Sequence, residues 1–352
     1  MYCWGANSHG QLALGFRSEM CETPQKVESL PFDPSRINSI CAGGGHTLLT
    51  VNATGDLYSS GWNNRGQLGL GHMEDVCRFT LVGQFDFDSI ACGWDVSGAV
   101  SPEGEVYLWG SNVWHQVADK EIKYLMVPTK LPLPRGTKAR KICFGLRHTC
   151  VLTDQGKIML FGKSKWLQQE KITQSSVFFG GVEFYEMGFS EPVTDVASGE
   201  NHLIAQLGQK QIVCLGDNKF GQSPEGIIYC SEEQQPNYIE QLESGWSHSG
   251  YRMSDGRVYL WGRNNYGQLG VAVNGDHNSP KALDVEGKVI KFCLGSQHGI
   301  ASTRESLYTW GWNEHGNCGL GSVENVTSPT RIEGLANTRN IAAGAGFCWA
   351  LK

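Results

Sequence analysis

The sequence predicts an all-β fold, a seven-bladed β-propeller built from repeats of ~50 residues. A strand of the type Tyr-x-Trp-Gly recurs from one end of the 352-residue chain to the other. Glycine accounts for 45 residues, which suits tight turns better than pairs of helices. The glycine that ends this strand occurs seven times at intervals of 46 to 56 residues, as Gly5, Gly61, Gly110, Gly162, Gly216, Gly262 and Gly311.

A second landmark follows each of these glycines after 26 to 35 residues. It is a short apolar strand, then a glycine, then usually a histidine three positions later. The strand Thr47–Thr50 after it alternates in polarity, and the turn Asn52–Gly55 leads into the strand Leu57–Ser60. Alternation around a glycine-containing turn predicts a β-hairpin, so each repeat is predicted to form four strands.

The two ends of the chain each provide one strand without a hairpin partner. Phe347–Leu351 lacks a following strand, and Met1–Trp4 lacks a preceding one. Pairing these strands closes the ring and protects both edges. We therefore expect residues 1–352 to form a single propeller domain.

Composition excludes several classes of function. The net charge of −6 argues against direct binding to nucleic acid or to an anionic membrane. No apolar run approaches the ~18 residues of a membrane span, and no secretory signal is visible at Met1. The 12 cysteines include no Cys-x-x-Cys pair, so reduced thiols in a cytoplasmic protein, with the nucleus as a second compartment, are expected.

The recurring histidines are predicted to be structural. Histidines at equivalent positions, one in each blade, would lie too far apart to share a metal ion, so we expect no metal site and no cofactor. A buried hydrogen bond across the turn is the expected role. No acid–base or nucleophile set is indicated by spacing, so no catalytic residue is assigned. The histidines are His46, His148, His202, His248 and His298.

Large aromatic residues stand at positions that the repeat does not specify. Because alternate connections of a four-stranded meander share one face, these residues are predicted to lie on a common face. One hypothesis is a protein-binding surface, since such surfaces are rich in aromatic residues, and the other is packing between blades. The four tryptophans are Trp62, Trp94, Trp246 and Trp312. The second repeat lacks the histidine and has Asp95 beside Trp94 instead.

The pattern Trp-Gly-x-Asn-x-x-Gly-Gln-Leu-Gly-x-Gly, seen at Trp4–Gly15 and around Gly61–Gly71, resembles the regulator-of-chromosome-condensation family over the whole chain. Three departures from the generic repeat resemble two subfamilies, the fungal α-tubulin-suppressor or killer-toxin-insensitivity propellers and the animal secretion-regulating guanine nucleotide exchange factors. These departures are Ala91–Asp95, Gly295–Gly299 and Gly311–Gly319.

The fungal resemblance implies a non-catalytic interaction module. Its partner would be a small CSL-type zinc protein that carries electrons, in a heterodimer supporting diphthamide synthesis and Elongator-dependent modification of tRNA wobble uridine. The predicted partner-binding residues are Trp94, Asp95, Trp246, His248, Trp312, Glu314 and His315.

The animal resemblance implies the alternative, nucleotide exchange on a Ran-like small GTPase. The founding member opens the nucleotide site with a protruding β-wedge, and here no connection is long enough to suggest a large insert. The third and fourth repeats have lost Gly-Gln-Leu, so their loops at 113–138 and 163–192 are expected to be irregular and could also receive a partner.

Overall fold

The computed structural model describes residues 1–51, 55–117, 121–168, 175–230 and 237–352. Most of the turn predicted at Asn52–Gly55 lies outside the described residues. Within the described ranges no helix is long and apolar enough to cross a membrane. The helical segments described are two short 3-10 turns, Pro34–Arg36 and Lys165–Gln168.

The fold is the predicted all-β seven-bladed propeller, with one antiparallel sheet for each blade. We number the blades in chain order.

Blades 1 to 3 contain β3 (Ile37–Ala42), β4 (His46–Val51), β5 (Asp56–Gly61) and β6 (Val76–Gln84); β7 (Ser89–Cys92), β8 (Val96–Val100), β9 (Val106–Ser111) and β10 (Tyr124–Leu131); and β11 (Ala139–Phe144), β12 (His148–Thr153), β13 (Ile158–Gly162), β14 (Ser175–Phe179) and β15 (Val182–Met187).

Blades 4 to 7 contain β16 (Val193–Ser198), β17 (His202–Leu207), β18 (Gln211–Gly216) and β19 (Ile227–Tyr229); β20 (Ile239–Ser244), β21 (His248–Met253), β22 (Val258–Gly262) and β23 (His277–Ala282); β24 (Lys291–Leu294), β25 (His298–Ser302), β26 (Leu307–Gly311) and β27 (Val326–Ile332); and β28 (Asn340–Ala343), β29 (Phe347–Leu351), β1 (Tyr2–Ala6) and β2 (Met20–Lys26).

The predicted pairing of the terminal strands is confirmed. β1 pairs antiparallel with β29, with Tyr2 opposite Ala350 and Gly5 opposite Phe347, so blade 7 combines both ends of the chain. The chain divides into two compact units, which we describe separately. The first unit is Met1–Asn7, Ser18–Val27 and Thr194–Lys352, and the second unit is Ser8–Arg17 and Glu28–Val193.

The tryptophan of the repeated strand links neighbouring blades. In the second unit, the fully buried Trp109 donates its indole N–H to the backbone oxygen of Gln67, at 2.9 Å. In the first unit, Trp310 makes the equivalent bond to Gln268, at 3.0 Å. The glutamine comes from the Gly-Gln-Leu segment of the preceding repeat. The tryptophan of one repeat and the Gly-Gln-Leu segment of the preceding one therefore form a contact between blades.

The glycine that ends each of these strands is required by the backbone. Gly110 has φ +101°, and a Cβ placed there would lie 2.6 Å from the backbone oxygen of Asp95. Any other residue would be strained in this conformation and would collide with backbone. All seven aligned glycines have positive φ, which explains the strictest feature of the repeat.

Blade 3 departs from the expected four strands. Its order is β11-β12-β13-β15-β14, so β15 takes the usual fourth position and β14 adds an outer strand. Val182 and Phe184 are buried, and the Phe184 ring packs against Phe161 with centroids 5.3 Å apart. The loop expected to be irregular at 163–192 is therefore partly an ordered hairpin, because its alternating apolar residues complete the core of this blade.

Three of the repeated histidines, His46, His202 and His298, bond to the next blade rather than across their own turns. The Nε2 atom of His46 lies 2.9 Å from the hydroxyl of Ser97, and that of His202 lies 2.7 Å from the hydroxyl of Ser249. Each ring folds back over the glycine of its own Gly-x-x-His turn. A Cβ at Gly199 would lie 2.0 Å from the His202 ring.

These buried histidines predict a loss of stability in acid. Burial lowers the pKa of four of them to about 3, whereas an exposed histidine titrates near pH ~6.5. The unfolded chain therefore takes up protons between these values that the folded chain does not, so stability is complete above pH ~6.5 and falls as the pH drops towards 3. The four are His46, His202, His248 and His298.

We expect the urea midpoint of a His202→Asn variant to depend less on pH in this window than that of the unaltered chain. The control is His72→Asn, because His72 is exposed. A pH dependence unchanged by His202→Asn would contradict this account of acid sensitivity.

Candidate partner-binding surface

Three aromatic rings of the second unit meet in what we call the tryptophan patch, formed by His9, Trp62 and Trp94. The His9 and Trp62 rings are stacked with centroids 5.2 Å apart, and the Trp62 and Trp94 rings meet edge to face at 6.4 Å. All three are half-buried. Trp62 follows the third strand of blade 1, and Trp94 follows the first strand of blade 2. Their contact confirms the predicted common face for these connections.

Two glycines make room for the patch. Both middle positions of the Gly43–His46 turn are glycine, unlike those of the other turns. A Cβ at Gly44 would lie 2.4 Å from the backbone oxygen of Trp94 and 2.9 Å from its ring. Gly44 also donates its N–H to that oxygen at 3.1 Å. The backbone of Trp94 is therefore held by the neighbouring blade, while its ring keeps some exposed surface.

Charged side chains flank the patch. Asp75 accepts hydrogen bonds from the backbone N–H of Asn63 at 2.8 Å and lies 2.9 Å from the His9 ring. Burial raises the pKa of the Asp95 carboxyl, while Ser111 and the positive charge of Arg65 act in the opposite direction. A half-buried carboxylate of this kind can accept a hydrogen bond from a partner, and excluding water strengthens that bond.

In the first unit, Trp312 and His315 form a smaller aromatic pair. Their rings meet edge to face with centroids 5.1 Å apart. Gly346 leaves room for both, because a Cβ there would lie 3.2 Å from the His315 ring and 3.6 Å from that of Trp312. Glu314, between them in sequence, is exposed.

Trp246 occupies the same repeat position as Trp94. Its backbone N–H donates to Ser296 at 3.0 Å, and its backbone oxygen accepts from Glu200 at 3.0 Å. Both bonds join neighbouring blades of the first unit. Like Trp94, Trp246 is half-buried on a fixed backbone.

His248 does not belong to any exposed surface. Its side chain is fully buried, and burial lowers its pKa to about 3. The prediction that it contacts a partner is therefore removed, because a neutral, buried imidazole presents nothing to a second protein. The repeat explains why a histidine is found here, because His248 occupies the structural Gly-x-x-His position.

A cation–π cluster in the first unit lies outside the predicted partner-binding residues. The Arg263 guanidinium lies 4.5 Å from the ring centre of Phe220 and 5.4 Å from that of Tyr266. Arg263 stands directly after an aligned glycine, the position held by Trp62 and Trp312. That shared position was the available signal. Arg263 and Trp62 meet residues of the preceding repeat, Phe220 and His9, whereas Trp312 meets His315 of its own repeat.

The tryptophan patch of the second unit has a composition suited to binding a protein. Half-buried aromatic rings on a fixed backbone, with the partly desolvated Asp95 next to Trp94 in sequence, are typical of protein-binding hot spots. In the described part of the chain, no three histidine, cysteine or acidic side chains lie close enough together to hold a metal ion.

Comparison with known proteins agrees with this architecture. The model of the RCC1-like domain matches residues 1–350. The chain is 29% identical to the mouse secretion-regulating guanine nucleotide exchange factor over 393 residues, covering 100% of this chain and 83% of that protein. It is 28% identical to the Arabidopsis thaliana ultraviolet-B receptor UVR8 over 378 residues, covering 98% of this chain and 82% of the receptor.

Among solved structures, Prp20p from Saccharomyces cerevisiae superposes with a TM-score of 0.84. The match covers 99% of this chain and 90% of Prp20p, with 24% sequence identity. At this identity the likeness concerns the fold.

Proposed function

Because the chain belongs to the RCC1-like domain family, we propose that it is a non-catalytic protein-binding propeller that holds a small CSL-type zinc protein. The observation that carries this proposal is the tryptophan patch, in which three rings meet and Trp94 is followed in sequence by the half-buried Asp95. Desolvated aromatic residues next to a polar anchor provide most of the affinity of a typical protein interface.

The partner is chosen from the subfamily resemblance of Ala91–Asp95, the segment that supplies both Trp94 and Asp95. In this proposal the heterodimer carries electrons for diphthamide synthesis and for Elongator-dependent modification of tRNA wobble uridine. The proposed contact residues are Trp94, Asp95, Trp246, Trp312, Glu314 and His315.

The second candidate function is nucleotide exchange on a Ran-like small GTPase. The name of the mouse relative favours it. Among the described residues, the additional strand β14 of blade 3 resembles an inserted element. However, β15 pairs with β13 through Ile158 and Leu160, so the hairpin continues the sheet of its blade.

A pull-down from cell lysate separates the two functions. We expect the tagged chain to recover a CSL-type zinc protein, and a variant with both Trp94→Ala and Asp95→Ala to lose it. Phe16→Ala, which truncates a 53% exposed aromatic side chain outside the patch, is the matched control and should retain the partner.

Purified chain should leave nucleotide release from a Ran-like GTPase unchanged. Stimulated release, with no zinc protein recovered in the pull-down, would replace the first function by the second.

A further inference from the structure

Each blade ends in one outer strand, and most of these outer strands are protected against pairing with another chain. An unpaired edge recruits foreign strands unless proline, a cationic residue, a bulge or shortness prevents it. Four outer strands carry both a proline and a lysine or arginine, namely β2 (Pro24, Lys26), β10 (Pro128, Lys130), β23 (Pro280, Lys281) and β27 (Pro329, Arg331).

The outer strands of blades 1 and 4 are protected in other ways. β6 carries Arg78 and two register shifts against β5. β19 has three residues, which is too short to support much pairing.

β14 has none of these protections. Its sequence, Ser175–Phe179, contains no proline and no charge, and it pairs with β15 without a register shift. Within the described ranges, no strand pairs with its other side. Phe178 is 68% exposed and Phe179 is 36% exposed. β14 is therefore an apolar, regular and open edge.

The neighbouring strand adds negative charge to this edge. Phe178 lies opposite Glu183 and Ser176 opposite Tyr185 across the β14–β15 ladder. The Tyr185 hydroxyl donates to Glu183 at 3.1 Å, and the Ser175 hydroxyl donates to Glu186 at 3.1 Å. No lysine or arginine of the described chain forms an ion pair with either carboxylate.

We propose that the free edge of β14 binds an extended segment of a partner protein in which apolar and basic residues alternate, added as a further antiparallel or parallel strand. Backbone hydrogen bonds would provide affinity, and alternate side chains would provide selectivity. Apolar side chains on the face of Phe178 would cover its ring, while long basic side chains on the opposite face would reach the carboxylate of Glu186. A second copy of this chain fits less well, because its net charge is −6.

The test uses the full chain and short fluorescent peptides. We expect a peptide alternating valine and lysine to bind in an anisotropy titration, and one alternating valine and glutamate not to bind. Phe178→Lys should lower the affinity for the valine–lysine peptide by about tenfold or more, because it removes the apolar contact and adds a charge of the same sign as the peptide. Ser328→Lys, on the protected strand β27, is the matched control and should bind like the unaltered chain.

A third peptide separates strand addition from simple charge attraction. It has the valine–lysine sequence with alternate backbone amides methylated, and we expect it not to bind. Equal binding of the methylated peptide, or no binding of the unmethylated one, would overturn the proposal. Concentration-dependent dimerisation in sedimentation experiments, abolished by Phe178→Lys, would also overturn it by assigning the edge to a second copy. The proposal uses no residue of the tryptophan patch, so its outcome is independent of the proposed function.

Discussion

Replacement of Trp310 by alanine is expected to lower the free energy of unfolding by about 3–5 kcal/mol. The side chain is fully buried among apolar residues of blades 5 and 6, including Leu269 and Phe292. Its indole N–H also satisfies the backbone oxygen of Gln268. Truncation would leave a cavity and an unpaired buried carbonyl at one contact between blades, and both effects are unfavourable. Urea denaturation followed by circular dichroism measures the change.

Two control variants separate the causes of this loss. Trp310→Phe keeps most of the apolar volume but loses the hydrogen bond, so we expect a smaller loss of about 1–3 kcal/mol. Phe16→Ala removes an exposed ring and should change stability by less than about 0.5 kcal/mol. If Trp310→Ala cost less than about 1 kcal/mol, the contact between tryptophan and the Gly-Gln-Leu segment would not be what holds neighbouring blades together.

Replacement of Trp94 by alanine is expected to weaken partner binding by about 2 kcal/mol or more, which corresponds to at least roughly thirtyfold. The ring meets Trp62 on a backbone fixed by Gly44, so its contact geometry is formed before binding. Fixed aromatic residues lose little entropy on association. Calorimetric titration with the CSL-type zinc protein would give the affinity, and an unchanged unfolding transition would show that the variant is folded.

Trp246→Ala is the informative comparison, since Trp246 shares the repeat position and the half-buried state of Trp94. We expect it to cost less, because Trp94 has a ring contact with a second tryptophan and lies next to Asp95. An equal or greater loss for Trp246→Ala would move the main binding surface to the first unit.

The repeat made the blade architecture predictable. Glycines such as Gly110 recur because the backbone there has positive φ, and that requirement is visible in one sequence once the copies are aligned. The pairing of β1 with β29 followed from the two unmatched terminal strands. In both cases the structural requirement is local or is set by the chain ends. It can therefore be predicted from the residue types at aligned positions.

Contacts between repeats were less predictable. The histidines were expected to bond within their turns, yet His46 reaches Ser97 in the next blade, 51 residues away. The β14–β15 hairpin was missed because blade 3 has lost Gly-Gln-Leu, which removed the reference pattern. His9 joined the patch through a ring contact with Trp62, which spacing along the chain does not specify.

The most direct test of the proposed function is a calorimetric titration of the purified chain with the CSL-type zinc protein, repeated with the variant carrying both Trp94→Ala and Asp95→Ala. We predict saturable binding that forms a heterodimer with the unaltered chain and no detectable binding with the variant. Absence of binding by the unaltered chain, or the same affinity for the folded variant, would contradict the assignment of this surface and this partner.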